Sequence, residues 1–106
     1  LAPQLVSPLG IILNELTTNA VKYAFPGRRE GVITVTVARH AHRVSIIFED
    51  DGIGLPEACT FENSTGFGLQ LVAMLVRQIQ GSISIERQKG TRYILEFEAG
   101  GDQSPG

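Results

Sequence analysis

Three polar side chains in the segment NELTTNAVK, residues 14–22, are spaced to form one stripe along a helix. Because successive residues of an α-helix are rotated by about 100°, Glu15, Asn19 and Lys22 fall within about 60° of one another. An amide oxygen suits Mg²⁺ held between protein and phosphate, an ammonium suits phosphate, and a carboxylate can handle a proton or a metal-bound water. The stripe predicts a magnesium and phosphate site, although an exposed helix flank with a chance i, i+4 pair would show the same pattern.

A carboxylate and two glycines follow an apolar run in the segment DDGIG, as Asp50-x-Gly52-x-Gly54. Glycine lets the backbone take positive φ and lets a flat ligand approach closely. A partly buried carboxylate only accepts hydrogen bonds, so it matches the exocyclic amine of adenine, whereas guanine presents an acceptor there. The segment predicts an adenine contact at Asp50, and an ordinary turn after a strand is the alternative.

Two further glycine positions stand next to predicted elements. Gly66 and Gly68 directly precede a predicted helix, where free N–H groups and the positive helix end can face phosphates. The segment is neither a P-loop nor a complete G-x-G-x-x-G motif, and a tight helix start would also explain it. Thr91 follows Gly90 at a strand start, where its hydroxyl can share water and adenine contacts with Asp50 or simply favour the strand.

The elements that must position these residues follow the order helix, hairpin, helix, hairpin. Ser7-Pro8 is predicted to start the first helix and Pro26-Gly27 to end it. The apolar residues of that helix recur at helical spacing: Leu9, Ile12, Leu13, Leu16, Ala20, Tyr23 and Ala24. The other predicted elements are strands 32–39 and 44–49, a helix within 66–81 capped by Gly81, and strands 82–87 and 91–98. This order predicts an α+β fold, with helices on one face of a mainly antiparallel mixed sheet.

Composition limits the class of protein. The chain has 106 residues, enough for one domain, with 42% hydrophobic residues and a net charge of −2. It has no basic excess for a general nucleic-acid surface, no apolar run long enough to span a membrane, and a single cysteine, Cys59, so it has no internal disulfide. We expect a cytoplasmic domain excised from a longer protein, because the first residue is Leu1, with residues 1–98 as the domain and 99–106 as a flexible tail.

The four motifs occur in one order and resemble those of a known family. Glu15 with Asn19 resembles the N box, Asp50-Gly52-Gly54 the first glycine box, Gly66-Gly68 the second, and Gly90-Thr91 the final glycine-threonine box. The chain is thereby similar to the ATP-binding catalytic domain of sensor histidine kinases, which has the Bergerat (GHKL) fold shared with gyrase B, Hsp90 and MutL. The wording PLGIILNELTTNAVKYAFPG is closest to the short-lid branch related to the HWE kinases.

The resemblance implies a role for each matching residue. Asn19 would ligate Mg²⁺, and Glu15 would be the acidic, catalytic member of the box and could touch the metal through water. Asp50 would bind the adenine amine, with Thr91 supporting it through water. The other residues implied to contact ATP are Lys22, Tyr23, Gly52, Gly54, Gly66, Phe67, Gly68 and Leu69, with residues 55–65 as a lid. The implied cofactors are ATP and Mg²⁺. The implied partners are a histidine-containing dimerisation domain of the same parent and, downstream, a response regulator receiver domain.

Two features depart from many kinases of this family. Gln70 replaces a third glycine, as in the short-lid branch, and Glu15 replaces a common asparagine, as in gyrase and Hsp90. His40 and His42 lie in a predicted hairpin turn, so neither is expected to accept the phosphoryl group. An anti-sigma-type serine kinase and a nucleotide-binding regulatory module without transfer remain as alternative functions.

Overall fold

The computed structural model describes residues 3–21, 31–52, 68–88 and 90–99. These residues form helices α1 (Pro3–Asn19) and α2 (Leu69–Gln78) and strands β1 (Ile33–His40), β2 (Arg43–Asp50), β3 (Ser82–Gln88) and β4 (Gly90–Glu98). The strands form one sheet in the order β1-β2-β4-β3, and all three pairings among these described strands are antiparallel. The predicted α+β fold and the predicted order of elements are confirmed.

Helix α1 begins earlier than predicted, because it starts at Pro3 and not at Ser7-Pro8. Pro3 takes the first helical position, where a backbone N–H would have no intrahelical acceptor, so proline loses no hydrogen bond there. Pro8 lies inside the helix and cannot donate to the carbonyl one turn back; both Pro8 and Leu5 are buried. Leu5 stands four residues before Leu9, so the apolar stripe already extended past the predicted start.

The C-terminal part of α1 is described as far as residue 21. The α-helix ends at Asn19, and Ala20 and Val21 continue as a wider π-type turn, a local irregularity that often marks a functional site. The predicted stop at Pro26-Gly27 lies outside the described residues.

Helix α2 ends differently from the prediction that Gly81 would be its cap. Ile79 is the C-cap, and the left-handed residue after it is Gln80, with φ 58°. The N–H of Gln80 donates to the carbonyl of Arg77 and the N–H of Gly81 to that of Val76, which is a Schellman ending. Gly81 is required for another reason, because a Cβ there would lie 2.6 Å from a backbone carbonyl oxygen of β4.

One hydrophobic core lies between the helices and the sheet. On β2 and β4, every second side chain is buried, so one face of each strand meets the helices and the other is more exposed. The largest buried apolar groups come from all of these elements: Leu5, Leu9, Ile12, Leu16, Val44, Ile46, Phe48, Leu69, Val72, Leu75, Val76, Tyr93, Leu95 and Phe97. The helices and the sheet thus form two layers around one core.

The outer face of the sheet carries ion pairs that cross three strands. The guanidinium of Arg92 on β4 bonds to Glu49 on β2 at 3.1 Å and to Glu86 on β3 at 3.2 Å. Each exposed pair contributes about 0–1 kcal/mol, so these pairs align the strand ends more than they stabilise the fold. They lie one residue away from Asp50 and Thr91, on the opposite face.

Two observations concern the chain ends and the membrane. Ala99, the first residue of the predicted tail, is buried, and its N–H donates to the carbonyl of His42 at 2.6 Å. Residues 100–106 lie outside the described part of the chain, so the boundary of the tail stays a prediction.

Neither described helix is long and apolar enough to cross a membrane.

Candidate functional site

The buried face of the central strands ends in a polar pair. Going along β2, the inward residues face the inward residues of β4 in the pairs Val44–Phe97, Ile46–Leu95, Phe48–Tyr93 and Asp50–Thr91. The Phe48 and Tyr93 rings meet edge to face, with centroids 6.3 Å apart. Asp50 therefore stands at the end of an apolar row, on the buried face of the sheet.

The hydrogen bonds of Asp50 hold its carboxylate in one orientation. Its Oδ1 accepts the N–H of Gly52 at 2.9 Å, as in an Asx turn, and the carboxylate also accepts the backbone N–H of Thr91. Burial raises the pKa of the Asp50 carboxyl above its ordinary value; the two backbone donors oppose this rise, and the neighbouring charge of Asp51 adds to it. A buried acid fixed in this way can accept a hydrogen bond from a flat ligand.

Gly90 is required beside this carboxylate. Its φ of 87° is in the left-handed region, and a Cβ there would overlap the backbone carbonyl oxygen of Asp50 and come within 3.1 Å of its Oδ1. The glycine of the glycine-threonine motif thus lets β4 start directly against the end of β2.

The two consecutive aspartates, Asp50 and Asp51, have different surroundings, and the sequence alone did not predict this difference. Asp50 is 8% exposed, whereas Asp51 is exposed and its Oδ1 accepts the N–H of Val32 at 2.9 Å. The N–H of Asp51 also donates to the carbonyl of Val32 at 3.2 Å. Asp51 therefore ties the residue before β1 to the end of β2, a structural role that sequence reasoning missed.

Asn19 is buried at the C-terminal end of α1 and is only 5% exposed. Within the described part of the chain, its Nδ2 has no hydrogen-bond partner. An amide group buried without a partner costs free energy, about 1–3 kcal/mol for a lost hydrogen bond. The Nδ2 group is a donor that can give a hydrogen bond to an acceptor on a bound ligand.

Glu15, one turn before Asn19, meets the start of the second helix. Its carboxylate lies against Gly68, the N-cap of α2, so closely that a Cβ on Gly68 would overlap Oε1. The structure thus brings together one residue from the predicted N box and one from the second glycine box. This contact is tertiary, and no spacing in the sequence could have shown it.

The remaining predicted site residues are only partly described. Lys22, Tyr23, Gly54, Gly66 and Phe67 lie outside the described residues. The side chain of Leu69 is fully buried in the core, which leaves its backbone N–H at the start of α2 as the group that can face a ligand. No cluster of three or more His, Cys, Asp and Glu side chains suited to a metal occurs in the described segments.

The described residues thus bring to one end of the fold a buried acid at the end of β2, an asparagine on α1 whose Nδ2 has no partner among them, and a glycine at the start of α2. Residues 5–101 match the family described as histidine kinase-, DNA gyrase B- and HSP90-like ATPases, and the chain belongs to this family. The family predicted from the four motifs is confirmed.

Several sensor histidine kinases are similar to the chain in sequence. It is 35% identical over 94 residues to the sensor histidine kinase PdtaS of Mycobacterium tuberculosis, covering 85% of this chain and 19% of that protein. It is 30% identical over 91 residues to blue-light-activated histidine kinase 2 of Erythrobacter litoralis, covering 85% of this chain and 26% of that protein. The chain thus spans between a fifth and about a quarter of the length of these relatives.

A solved structure supports the same fold. The histidine kinase domain of the Erythrobacter litoralis EL346 blue-light-activated histidine kinase superposes with a TM-score of 0.79 at 27% identity. The match covers 88% of this chain and 44% of that one.

Proposed function

We propose that this chain is the catalytic ATP-binding domain of a two-component sensor histidine kinase. It binds Mg-ATP and transfers the γ-phosphoryl group to a histidine on a separate dimerisation domain, from which a response regulator receiver domain takes it. The observation that carries the proposal is the buried carboxylate of Asp50, fixed by two backbone donors at the end of the apolar row. The names of the relatives, all sensor or light-activated histidine kinases among those compared above, favour histidine as the acceptor.

The surroundings of Asp50 select adenine over guanine. The carboxylate is an acceptor, so it pairs with the exocyclic amine of adenine. The guanine carbonyl at the same point would face it as a second acceptor, and two acceptors in a dry site leave both without a donor. Thr91 is 3% exposed and lies opposite Asp50 in the register, and its hydroxyl would support the same contact.

Asn19 fits the magnesium that this family of activities implies. Its amide is buried, and the amide oxygen Oδ1 is a ligand that Mg²⁺ accepts alongside phosphate oxygens. Its Nδ2, which lacks a partner within the described residues, is a hydrogen-bond donor and would face an acceptor such as a phosphate oxygen. Asn19 would hold the ion, with Glu15 one turn away on the same helix touching it through water. When bound, the ion supplies neutralisation of charge on the phosphates.

Glu15 would act as the base that accepts a proton during phosphoryl transfer. The bond from the γ-phosphorus to the bridging β–γ oxygen breaks, a bond from phosphorus to an imidazole nitrogen forms, and ADP leaves. The imidazole loses a proton as it is phosphorylated, and the Glu15 carboxylate is the described base beside the start of α2 that can accept it. Most of the acceleration comes from holding the two reactants in line and from charge neutralisation.

The proposal is tested in two stages. Calorimetric titration of the chain with ATP and Mg²⁺ should show saturable binding, with GTP binding at least tenfold more weakly. Labelled phosphate should then appear on an added histidine-containing dimerisation domain and should be lost in acid but retained in base. Acid-stable label on a protein serine would instead favour the anti-sigma-type serine kinase, and binding without any transfer would favour a regulatory module.

A further inference from the structure

The contact between Gly68 and Glu15 joins two parts of the proposed site that lie 53 residues apart in the chain. Gly68 has φ 69°, a left-handed value that residues with side chains rarely take. A Cβ on Gly68 would overlap Oε1 of Glu15 and lie 3.2 Å from its Cδ. The backbone conformation therefore selects glycine at this position, and an added side chain would also have to displace the end of the Glu15 side chain.

The place that Glu15 takes is the positive end of a helix that lacks its own anionic cap. No acidic residue occurs in the first turn of α2, and Gly68 offers no side chain to cap it. The first N–H groups of a helix have no intrahelical partner, and negative charge is favourable beside them. Glu15 is only partly exposed, and it brings a carboxylate to this end from the neighbouring helix.

We propose that Gly68 is the positioning residue for Glu15. The missing side chain of Gly68 leaves a slot at the N-terminus of α2, and the Glu15 carboxylate occupies that slot. A side chain at position 68 would push the carboxylate away from its place on α1, beside Asn19. The contact is a property of the fold, whereas its consequence for phosphoryl transfer rests on the proposed function.

Strain and overlap make different predictions for the variant Gly68→Ala. Left-handed backbone alone should lower the folding equilibrium constant by about 5- to 30-fold, whatever residue stands at position 15. Overlap adds a loss that depends on the length of the side chain at position 15. Glu15→Gln keeps that length, whereas Glu15→Ala removes it.

A double-mutant cycle separates the two effects. Urea denaturation of the 106-residue chain would be measured for Gly68→Ala in the wild-type, Glu15→Gln and Glu15→Ala backgrounds. Displacing the flexible Glu15 side chain costs only its contact with the N-terminus of α2, so we expect a loss in the wild-type and Glu15→Gln backgrounds about two- to fivefold larger than in the Glu15→Ala background. Equal losses in all three backgrounds would overturn the inference. Should Gly68→Ala not fold, Gly68→Asn, which tolerates positive φ better, carries the same comparison.

Phosphoryl transfer gives a second readout that a purely structural role would not change. Gly68→Ala should slow transfer to the dimerisation domain in the wild-type background, but should add less than about twofold to the loss that Glu15→Ala already causes. Losses that simply multiply would contradict the positioning role. Gly10→Ala is the matched control, because nothing lies within 4 Å of a Cβ at Gly10, and its transfer rate should equal that of the wild type.

The two proposals fail in different ways. If the wild-type chain does not bind ATP, the proposed function is wrong, yet the coupling in urea can still be measured. If ATP binds and the coupling is absent, the positioning role is wrong and the function stands.

Discussion

Asp50 accepts the backbone N–H of Thr91, its cross-strand partner, at the point where the buried row of the sheet becomes polar. The next inward pair along these strands is Phe48 and Tyr93, and both of their side chains are buried. The same burial that makes Asp50 a selective acceptor makes its charge costly to keep, so binding and stability oppose each other at this residue.

The first prediction is a pH dependence of stability. Burial raises the pKa of Asp50 in the folded chain above its ordinary value of 3.8. At a pH between these two pKa values, the folded chain therefore still holds a proton on Asp50 that the unfolded chain has released. The contribution of Asp50 to the free energy of unfolding therefore falls as pH rises from below 3.8 through the raised pKa. Asp50→Asn removes this fall, so the variant should gain stability relative to the wild type across the window. Urea denaturation at several pH values measures the difference; a constant difference would contradict the prediction.

Asn19→Ala should remove the dependence of nucleotide binding on Mg²⁺. The variant loses the amide oxygen that is proposed to ligate the ion. The free energy of unfolding should stay within about 1 kcal/mol of the wild type, since the amide N–H that is removed has no described partner. Calorimetry with ATP, with and without Mg²⁺, measures the first effect. A variant that still binds ATP more tightly with Mg²⁺ would place the metal elsewhere.

Glu15→Gln should leave ATP binding unchanged and slow transfer by about 10²- to 10⁴-fold, the usual contribution of a general base. The amide keeps the size of the side chain but cannot accept the proton. Single-turnover transfer of labelled phosphate to the dimerisation domain measures the rate. A rate equal to the wild type would remove the proposed role in proton transfer.

Gly90→Ala and Gly10→Ala should change stability in opposite directions. At Gly90 the positive φ and the overlap with the Asp50 carbonyl should lower the free energy of unfolding by more than about 2 kcal/mol and weaken ATP binding. Gly10 lies in the middle of α1, is exposed and has open space around it. Alanine at this position should therefore raise the free energy of unfolding by about 0.5–1 kcal/mol and leave ATP binding unchanged. Thermal unfolding of both variants, followed by ATP titration, tests the pair. A stabilised Gly90→Ala variant would show that the end of β2 tolerates a side chain.

Much of the fold could be predicted from local patterns, because alternation and helical spacing report directly on which faces are buried. The strands of the first hairpin were predicted within one residue at each end, and the second helix lies within the predicted range 66–81. The predicted start of α1 was wrong. Serine followed by proline is a strong local signal for a helix start, but the helix begins earlier and buries Leu5. The predicted cap of α2 was also wrong. Gln80, and not Gly81, has the left-handed backbone conformation, and Gly81 lies close to the backbone of β4.

The site was predictable as a set of motifs but not as contacts. Asp50 and Thr91 were paired from the family resemblance, and the register of β2 with β4 places them opposite each other. The contact of Glu15 with Gly68 and the bond of Asp51 to Val32 depend on how distant segments pack. Neither leaves a trace in spacing or composition.

The most direct test of the adenine site compares two neighbouring aspartates changed in the same way. Asp50→Asn and Asp51→Asn carry the same change in charge, but only Asp50 is buried at the end of the apolar row. Calorimetry with Mg-ATP should show a Kd raised by about 10- to 100-fold for Asp50→Asn, corresponding to a charged hydrogen bond of about 1.5–3 kcal/mol, and by less than about threefold for Asp51→Asn. Equal affinities for the wild type and Asp50→Asn would contradict the account.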